Sequence, residues 1–165
     1  MKMQRSMHCM FGLTLAFAVI APVAASSRPL AGSKPLSEIL QGIEQRAGEV
    51  VYSADFSSGS WEILACKAGG QGCREIDVDP QTGEERSSSP EDASDTLPPS
   101  NGRTASQIAR SIEGRNLGVI TELEYDDPHW EAQVRPDRGH AKLYVDPISA
   151  DVRRCIGSAC PPRGR

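Results

Sequence analysis

Apolar residues recur at helical spacing in two short segments of this 165-residue chain. The first stripe consists of Leu36, Ile39, Leu40, Ile43 and Ala47. The second consists of Ala105, Ile108, Ala109 and Ile112. The i, i+3, i+4, i+7 spacing predicts an amphipathic helix in each segment. Ser37 is the candidate N-cap of the first helix and Gly48 its candidate stop, while Thr104 and Gln107 have the spacing of a capping box for the second.

Alternating apolar residues follow each predicted helix. One face of the first predicted strand carries Val50, Tyr52, Ala54 and Phe56, and its counterpart carries Val119, Leu123 and Tyr125. The next strands place Trp61, Ile63 and Ala65, or Trp130, Ala132 and Val134, on one side. A third strand in each segment ends at an Asp-Pro pair, since proline cannot donate to a strand ladder. Short helices of this kind need a sheet to pack against.

The two segments are copies of one another. At an offset of 69 residues, Ile39 aligns with Ile108, Glu44 with Glu113, and Trp61 with Trp130. After a two-residue shortening, residues 76–80 align with 143–147 at an offset of 67. The pattern predicts an α+β protein of two tandem units. Each unit should consist of one helix packed on an antiparallel sheet of three or four strands.

The N-terminal segment has the pattern of a secretory signal. Lys2 and Arg5 precede the apolar residues 9–20, and small residues up to Ala25 suit signal peptidase. An apolar stretch of this length is shorter than the roughly 20 residues of a spanning helix. We therefore expect residues 1–25 to be a cleaved signal peptide. The protein would be periplasmic or secreted, with no stable membrane insertion after cleavage.

Four cysteines remain after the predicted cleavage: Cys66, Cys73, Cys155 and Cys160. An even number in an exported chain favours disulfides over free thiols. The local pairing, Cys66 with Cys73 and Cys155 with Cys160, is our first choice among the three possible connectivities. A bond between the two units stays open as an alternative. Spacings of C-x6-C and C-x4-C are poor matches to zinc sites.

Composition indicates the boundaries of the two units, the linker and the C-terminal tail. We expect a first unit at 36–86 and a second at 103–154. The stretch 87–102, rich in Ser, Pro, Asp and Glu, is predicted to be a flexible linker. Residues 155–165 are predicted to form a small disulfide loop followed by a disordered tail.

The repeated segment resembles the PepSY domain family. Residues 118–134 (GVITELEYDDPHWEAQV) and 142–152 (KLYVDPISADV) carry the likeness most closely. The first unit is similar more loosely, through Trp61-Glu62 and residues 78–85 (VDPQTGEE). The second unit departs from the family in the turn 148–151 (ISAD), where the family favours glycine. PepSY domains occur in propeptides of thermolysin-type peptidases and in small exported bacterial proteins. The resemblance implies a non-catalytic module that inhibits or regulates a peptidase or another envelope protein.

The chain offers little catalytic chemistry. No nucleophile elbow, zinc-peptidase, Walker or dinucleotide motif is present. We therefore predict no enzyme activity, no catalytic residue, no metal and no cofactor. The nearly balanced total of 18 basic and 22 acidic residues gives no footprint for nucleic acid.

Candidate binding residues cluster around the repeated tryptophans. We name Trp61, Trp130, Asp126, Asp127 and His129 as candidate binding residues, and we expect a protein partner to contact exposed strand edges or the hairpin tips. Asp126, Asp127 and His129, joined by His140, could instead form a sensor site for a metal ion or small ligand. A polar turn before a buried tryptophan is the simpler interpretation. Glu62 and Glu131 are expected on solvated strand faces.

Charge separates the two units. Residues 36–86 contain ten acidic and four basic residues, whereas residues 103–154 contain nine and eight. The acidic first unit could attract a basic partner, although ordinary solubility also explains it. A purely structural role in the envelope is a third possible function.

Overall fold

A computed structural model of the protein describes residues 28–92 and 96–161. The predicted signal peptide, 1–25, and the last four residues of the predicted tail lie outside these ranges. Within the described residues, no helix is both long and apolar enough to cross a membrane.

Two helices and eight strands follow one another in the order of two repeats. The first repeat contains α1 (Leu36–Ala47), β1 (Glu49–Ser57), β2 (Ser60–Lys67), β3 (Gln71–Val78) and β4 (Glu85–Pro90). The second contains α2 (Ala105–Glu113), β5 (Val119–Asp126), β6 (His129–Arg135), β7 (Ala141–Val145) and β8 (Val152–Gly157).

All eight strands belong to a single antiparallel sheet with the order β4-β3-β2-β1-β5-β6-β7-β8. The prediction of two units with separate three- or four-stranded sheets is therefore wrong. Strand β1 pairs with β5, and Ala54 lies directly opposite Leu123. The physical reason is that each first strand would otherwise be an unpaired edge, which readily accepts a neighbouring strand.

The helices lie side by side and run in opposite directions, because the N-terminal part of each contacts the C-terminal part of the other. Ser37 donates its N–H and its hydroxyl to Glu113, over 3.1 and 2.5 Å. Ser106 donates in the same way to Glu44, over 3.1 and 2.6 Å. A carboxylate at a helix N-terminus satisfies free backbone N–H groups and interacts favourably with the helix dipole. Each helix therefore caps the other.

The structure contradicts the predicted N-cap of the first helix and confirms that of the second. Helix α1 begins at Leu36, after Pro35, so Ser37 lies inside the first turn rather than at the N-cap. The capping box of α2 is confirmed, with Thr104 as the N-cap and Gln107 as its partner. Gly48 ends α1 in the left-handed conformation, as predicted.

A β-bulge lies at the same place in both repeats and shifts the strand faces. The pairing of β1 with β2 skips Tyr52, and the pairing of β5 with β6 skips the equivalent Thr121. Val51 and Ile120 are consequently buried, whereas Val119, which we placed on the core face, is 44% exposed. A bulge inserts one residue and reverses the alternation on either side of it.

The repeat extends further toward the N-terminus than the sequence indicated. Before α1, the N–H of Lys34 donates to the carbonyl of Pro80 over 2.8 Å. Before α2, the N–H of Arg103 donates to the carbonyl of Pro147 over 2.7 Å. Residues 29–35 and 98–104 are thus equivalent arms, and we refer to each as the arm of its unit.

The boundaries of the predicted linker and tail differ from the observed elements. The stretch 87–102 begins within strand β4, which continues to Pro90, and it ends in the arm of the second unit. The segment 155–165 begins within β8. Both regions therefore contribute backbone to the folded repeats.

Both local disulfides are present. Cys66 is joined to Cys73, across the turn between β2 and β3. Cys155 is joined to Cys160, at the end of β8. The preferred connectivity is confirmed, and neither bond links the two repeats.

Candidate functional site

Both tryptophans are core residues. Trp61 and Trp130 are 1% and 0% exposed, and each packs edge-on against an aromatic ring from the preceding strand. The ring centroids lie 5.3 Å apart for Phe56 with Trp61 and 5.5 Å apart for Tyr125 with Trp130. Such pairs stabilise a core through both buried area and ring geometry. Neither tryptophan presents a surface to a partner.

The predicted cluster around Asp126 divides into separate contacts. The hydroxyl of Tyr125 donates to Asp127 over 3.1 Å at the turn between β5 and β6. The ring of His129 lies 5.0 Å from the ring of Tyr144, and its Nε2 is 3.4 Å from a carboxylate oxygen of Glu131. These contacts hold the turn against the sheet.

His140 is far from this turn. It precedes β7, beside the end of β6 that is remote from His129. At a rise of roughly 3.3 Å per residue, the length of β6 separates the two histidines by about 20 Å. Among the described residues, no three His, Cys, Asp or Glu side chains are grouped so that they could hold a metal ion.

One face of the sheet carries a row of carboxylates across four adjacent strands. Asp77 pairs with Glu62, Glu62 with Asp55, and Asp55 with Glu122. Directly paired residues of antiparallel strands point to the same side of the sheet. This row crosses the junction between the two repeats without interruption.

A second row lies beside the first. Glu124 pairs with Glu131 and, across the junction, with Ser53, while Glu75 lies further along on β3. We call the two rows together the acidic face. It consists of Asp55, Glu62, Glu75, Asp77, Glu122, Glu124 and Glu131. Four of the seven are exposed and three are half-buried.

Crowding of like charges is greatest at Glu122. Its pKa is raised by partial burial and by the neighbouring carboxylates of Asp55 and Glu124. Lys142 acts in the opposite direction, and the Gln133 amide donates to Glu122 over 2.5 Å. The centre of the sheet is therefore a region of concentrated negative charge, which Lys142 and Gln133 relieve only in part.

Positive charge lies toward the β8 edge of the same face. The ammonium of Lys142 pairs with Glu131, which raises the pKa of the lysine. Lys142 and Arg154 also lie 5.5 and 5.6 Å from the centroid of the Tyr144 ring. The face is thus acidic from β3 to β6 and basic beyond it.

The sequence identified two carboxylates of the acidic face but did not show that the faces of the two units form one surface. Glu62 and Glu131 were assigned to solvated faces of separate units, and both do lie on the open side of the sheet. The pairing of β1 with β5 joins those faces into one surface. The available signal was the repeat itself, because two equivalent edge strands can pair with each other.

The turns after β3 and β7 repeat one arrangement. Asp79 accepts from the N–H groups of Gln81 and Thr82 and pairs with Arg86 over 2.5 Å. Its pKa is lowered to about 2, mainly by the Thr82 N–H and then by Arg86. These groups stabilise the ionised form and so hold the turn closed.

The equivalent turn contains Asp146, which accepts from Ile148 and Ser149 and pairs with Arg153 over 3.0 Å. The Ser149 N–H and then Arg153 lower its pKa to about 2. Both aspartates are structural members of a turn rather than ligands.

Each arm borders a cleft at the junction of the repeats. The first cleft, of about 510 Å³, lies between residues 29–36 and 118–120. The second, of about 520 Å³, lies between the equivalent arm, from residue 97 to 105, and residues 48–51. Lys34, Trp61 and Glu113 also line the first cleft, and Glu44, Glu49 and Arg103 line the second.

No protein-family model matches this chain, and no curated protein matches it in sequence. Among solved structures, a protein of Clostridium difficile 630 described as a candidate lipoprotein is similar over 78% of this chain and 96% of that chain. The sequence identity is 12% and the TM-score is 0.46. Similarity at this level supports no inference about fold or function, and the PepSY resemblance stays a prediction.

Proposed function

We propose that this protein is an exported, non-catalytic binding module that holds a basic surface of a partner protein on its acidic face. The partner would be a peptidase or another protein of the envelope, which the module restrains or regulates. The observation that supports this most directly is the continuous row of carboxylates from β3 to β5.

The energetics of the face favour a cationic partner. The carboxylates of Asp55 and Glu124 lie beside Glu122 on the sheet and, together with partial burial, raise its pKa, so they disfavour its ionised form. Lysine or arginine side chains of a partner would relieve this repulsion. They would also be attracted over a distance of about one Debye length, about 8 Å at physiological salt.

Export is supported by two features. The N-terminal 25 residues have the charge and apolar pattern of a signal peptide. Two disulfides are typical of proteins that fold in an oxidising compartment. Either the periplasm or the extracellular medium satisfies both.

A peptidase partner rests on the PepSY resemblance alone. Fold analogy does not establish function, so the experiment must test peptidases separately from simple cation binding. An acidic face that masks a basic surface of the enzyme is the mode of regulation that fits the charges described above.

The test compares two triple variants of the mature chain with the same change in net charge. One carries Asp55→Asn, Glu62→Gln and Glu124→Gln on the acidic face. The control carries Glu38→Gln, Glu84→Gln and Asp151→Asn, all exposed and outside that face. A decalysine peptide and a panel of co-secreted peptidases serve as probes, at low and at physiological salt.

We expect the acidic-face variant to bind decalysine about ten-fold more weakly, since exposed ion pairs contribute about 0.2–1 kcal/mol each. The control should keep most of its affinity. Equal weakening in both variants would contradict a defined binding face. Inhibition of no peptidase, with no partner recovered from the envelope, would remove the regulatory part of the proposal.

The alternative function, a sensor for a metal ion or small ligand, has less support. It requires His140 to join Asp126, Asp127 and His129, yet the length of β6 lies between the two histidines. Titration with divalent ions remains the direct measurement for that alternative.

A further inference from the structure

The contact between the two repeats is self-complementary. Ser37 contacts Glu113, and Ser106 contacts Glu44. The two serines are equivalent in the repeat, and so are the two glutamates. Each repeat therefore offers its neighbour the same serine and the same glutamate, and receives the same pair in return.

The centre of the contact joins equivalent residues to each other. The guanidinium of Arg110 donates to the side-chain oxygen of Gln41 over 2.8 Å, and these positions differ by the repeat offset of 69. Ala54 and Leu123, also equivalent, face each other across β1 and β5. This is the geometry of an isologous dimer interface, in which the same patch is used on both sides.

We propose that this contact is a docking surface for a second copy of the chain. Two copies exchange repeats, so that α1 and β1 of one copy pack on α2 and β5 of the other. The contacts between the repeats described above are kept in this reciprocal dimer. The inference goes beyond the binding function above, and no other protein takes part in its test.

Separation of the repeats exposes two surfaces that favour reassociation. Strands β1 and β5 each become an unpaired edge beside buried apolar residues such as Ala54 and Leu123. Exposed edges of this kind pair with whatever matching strand is available. In the single chain, the connection between the repeats gives the neighbouring repeat an effective concentration of the order of millimolar. A second copy therefore competes when the protein concentration approaches that value.

Charge disfavours the pairing of two second repeats. Two second repeats would place Arg110 opposite Arg110 and would pair Glu122 with Glu124 twice. The observed contact pairs Arg110 with Gln41 and Glu124 with Ser53, and it keeps a single pair of facing carboxylates, Asp55 with Glu122. Like-charge contacts of this kind discriminate against the wrong partner. A second repeat therefore packs better on a first repeat than on another second repeat.

Crosslinking of two single-cysteine variants tests the exchange. Mature Gln41→Cys and Arg110→Cys proteins, one of them isotopically labelled, are mixed, unfolded without reductant and refolded at about 10 µM or about 500 µM. Mild oxidation and mass spectrometry then measure chains joined through positions 41 and 110. We expect this heterodimer to increase at least about five-fold at the higher concentration.

Two controls make each outcome decisive. A single chain carrying both Gln41→Cys and Arg110→Cys should form the bond internally at low concentration. A Glu75→Cys protein, changed on the open side of the sheet, should not crosslink to the Arg110→Cys protein. The proposal is overturned if the double variant crosslinks internally but no heterodimer forms at either concentration. It is also overturned if the Glu75→Cys mixture crosslinks equally well, or if the double variant forms no bond.

Discussion

The two repeats share the serine and glutamate that join their helices and differ at their outer hairpins. Ser37 and Glu44 recur as Ser106 and Glu113 at the contact. At the hairpin between the second and third strands, by contrast, the first repeat has the Cys66–Cys73 disulfide and the second has a shorter turn with no cysteine. The helix caps are therefore common to both repeats, whereas the outer hairpins are closed in two different ways.

The two repeats also differ in the charge of their side chains on the open face of the sheet. The acidic residues of the first repeat extend the carboxylate row, whereas Lys142 and Arg154 make the far part of the second repeat basic. The open face of the sheet is thus acidic on one side and basic on the other, although the two repeats share one fold. The following predictions test which of the shared features are equivalent and which have diverged.

The largest expected effect concerns the buried tryptophans. Trp61→Ala and Trp130→Ala should each lower the free energy of unfolding by about 3–5 kcal/mol, because each removes a large core side chain. Urea denaturation followed by circular dichroism measures the loss. Leu30→Ala, at a position 63% exposed, is the control and should change stability by less than about 0.5 kcal/mol. A small effect at both tryptophans would mean that they are surface residues after all.

The reciprocal caps should be next in size and unequal. Glu44→Ala removes contacts to Ser106 and to the hydroxyl of Thr104, and Glu113→Ala removes only those to Ser37. We expect losses of about 2 kcal/mol and about 1 kcal/mol respectively, since both replace charged hydrogen bonds at a helix N-terminus. Thermal unfolding of the two variants at one pH gives the comparison. Equal losses would show that the Thr104 contact contributes nothing measurable.

The equivalent turns after β3 and β7 allow a matched exchange of glycine and alanine. Gly83 has φ of 70° and the equivalent Ala150 has φ of 62°, both in the left-handed region. Gly83→Ala should destabilise the protein by about 1 kcal/mol, and Ala150→Gly should stabilise it by about 0.5 kcal/mol. Chemical denaturation of each variant against the parent protein measures both. A shift of the same sign in the two variants would contradict equivalent turns.

The smallest effect concerns the aspartates of those turns. Because the pKa of Asp79 and of Asp146 is about 2 in the folded protein and 3.8 in an ordinary carboxyl group, ionisation stabilises the fold above about pH 4. That contribution is lost as the pH falls toward about 2. Asp79→Asn with Asp146→Asn should therefore reduce stability at pH 5 more than at pH 2. Denaturation midpoints across this range give the slope, and a parallel offset at every pH would exclude the linkage.

Local structure was largely predictable, because each repeat carries its own periodic pattern. The capping box at Thr104, the helical stripes and both disulfides follow from residues close together in sequence. The two bulges did not, since Tyr52 and Thr121 fit an unbroken alternation equally well. Only the pairing partner shows that one residue is skipped.

The acidic face could not be predicted from either repeat alone. It depends on β1 pairing with β5, a contact between strands almost 70 residues apart, and on both helices lying on the opposite side. The sequence placed Glu62 and Glu131 on polar strand faces but offered no means of aligning them. The tryptophans were named as binding residues because they recur, although their position on the apolar face already indicated burial.

The central pairing of β1 with β5 also determines how the protein unfolds. A chain with two copies of one unit would ordinarily be expected to melt in two steps, one for each copy. Here the first strands of the two copies form the middle of one sheet, and the helices cap each other beside it. Backbone amides of β1 and β5 should therefore exchange their hydrogens most slowly, whereas β4 and β8 fray first, and the whole molecule should unfold as one cooperative unit.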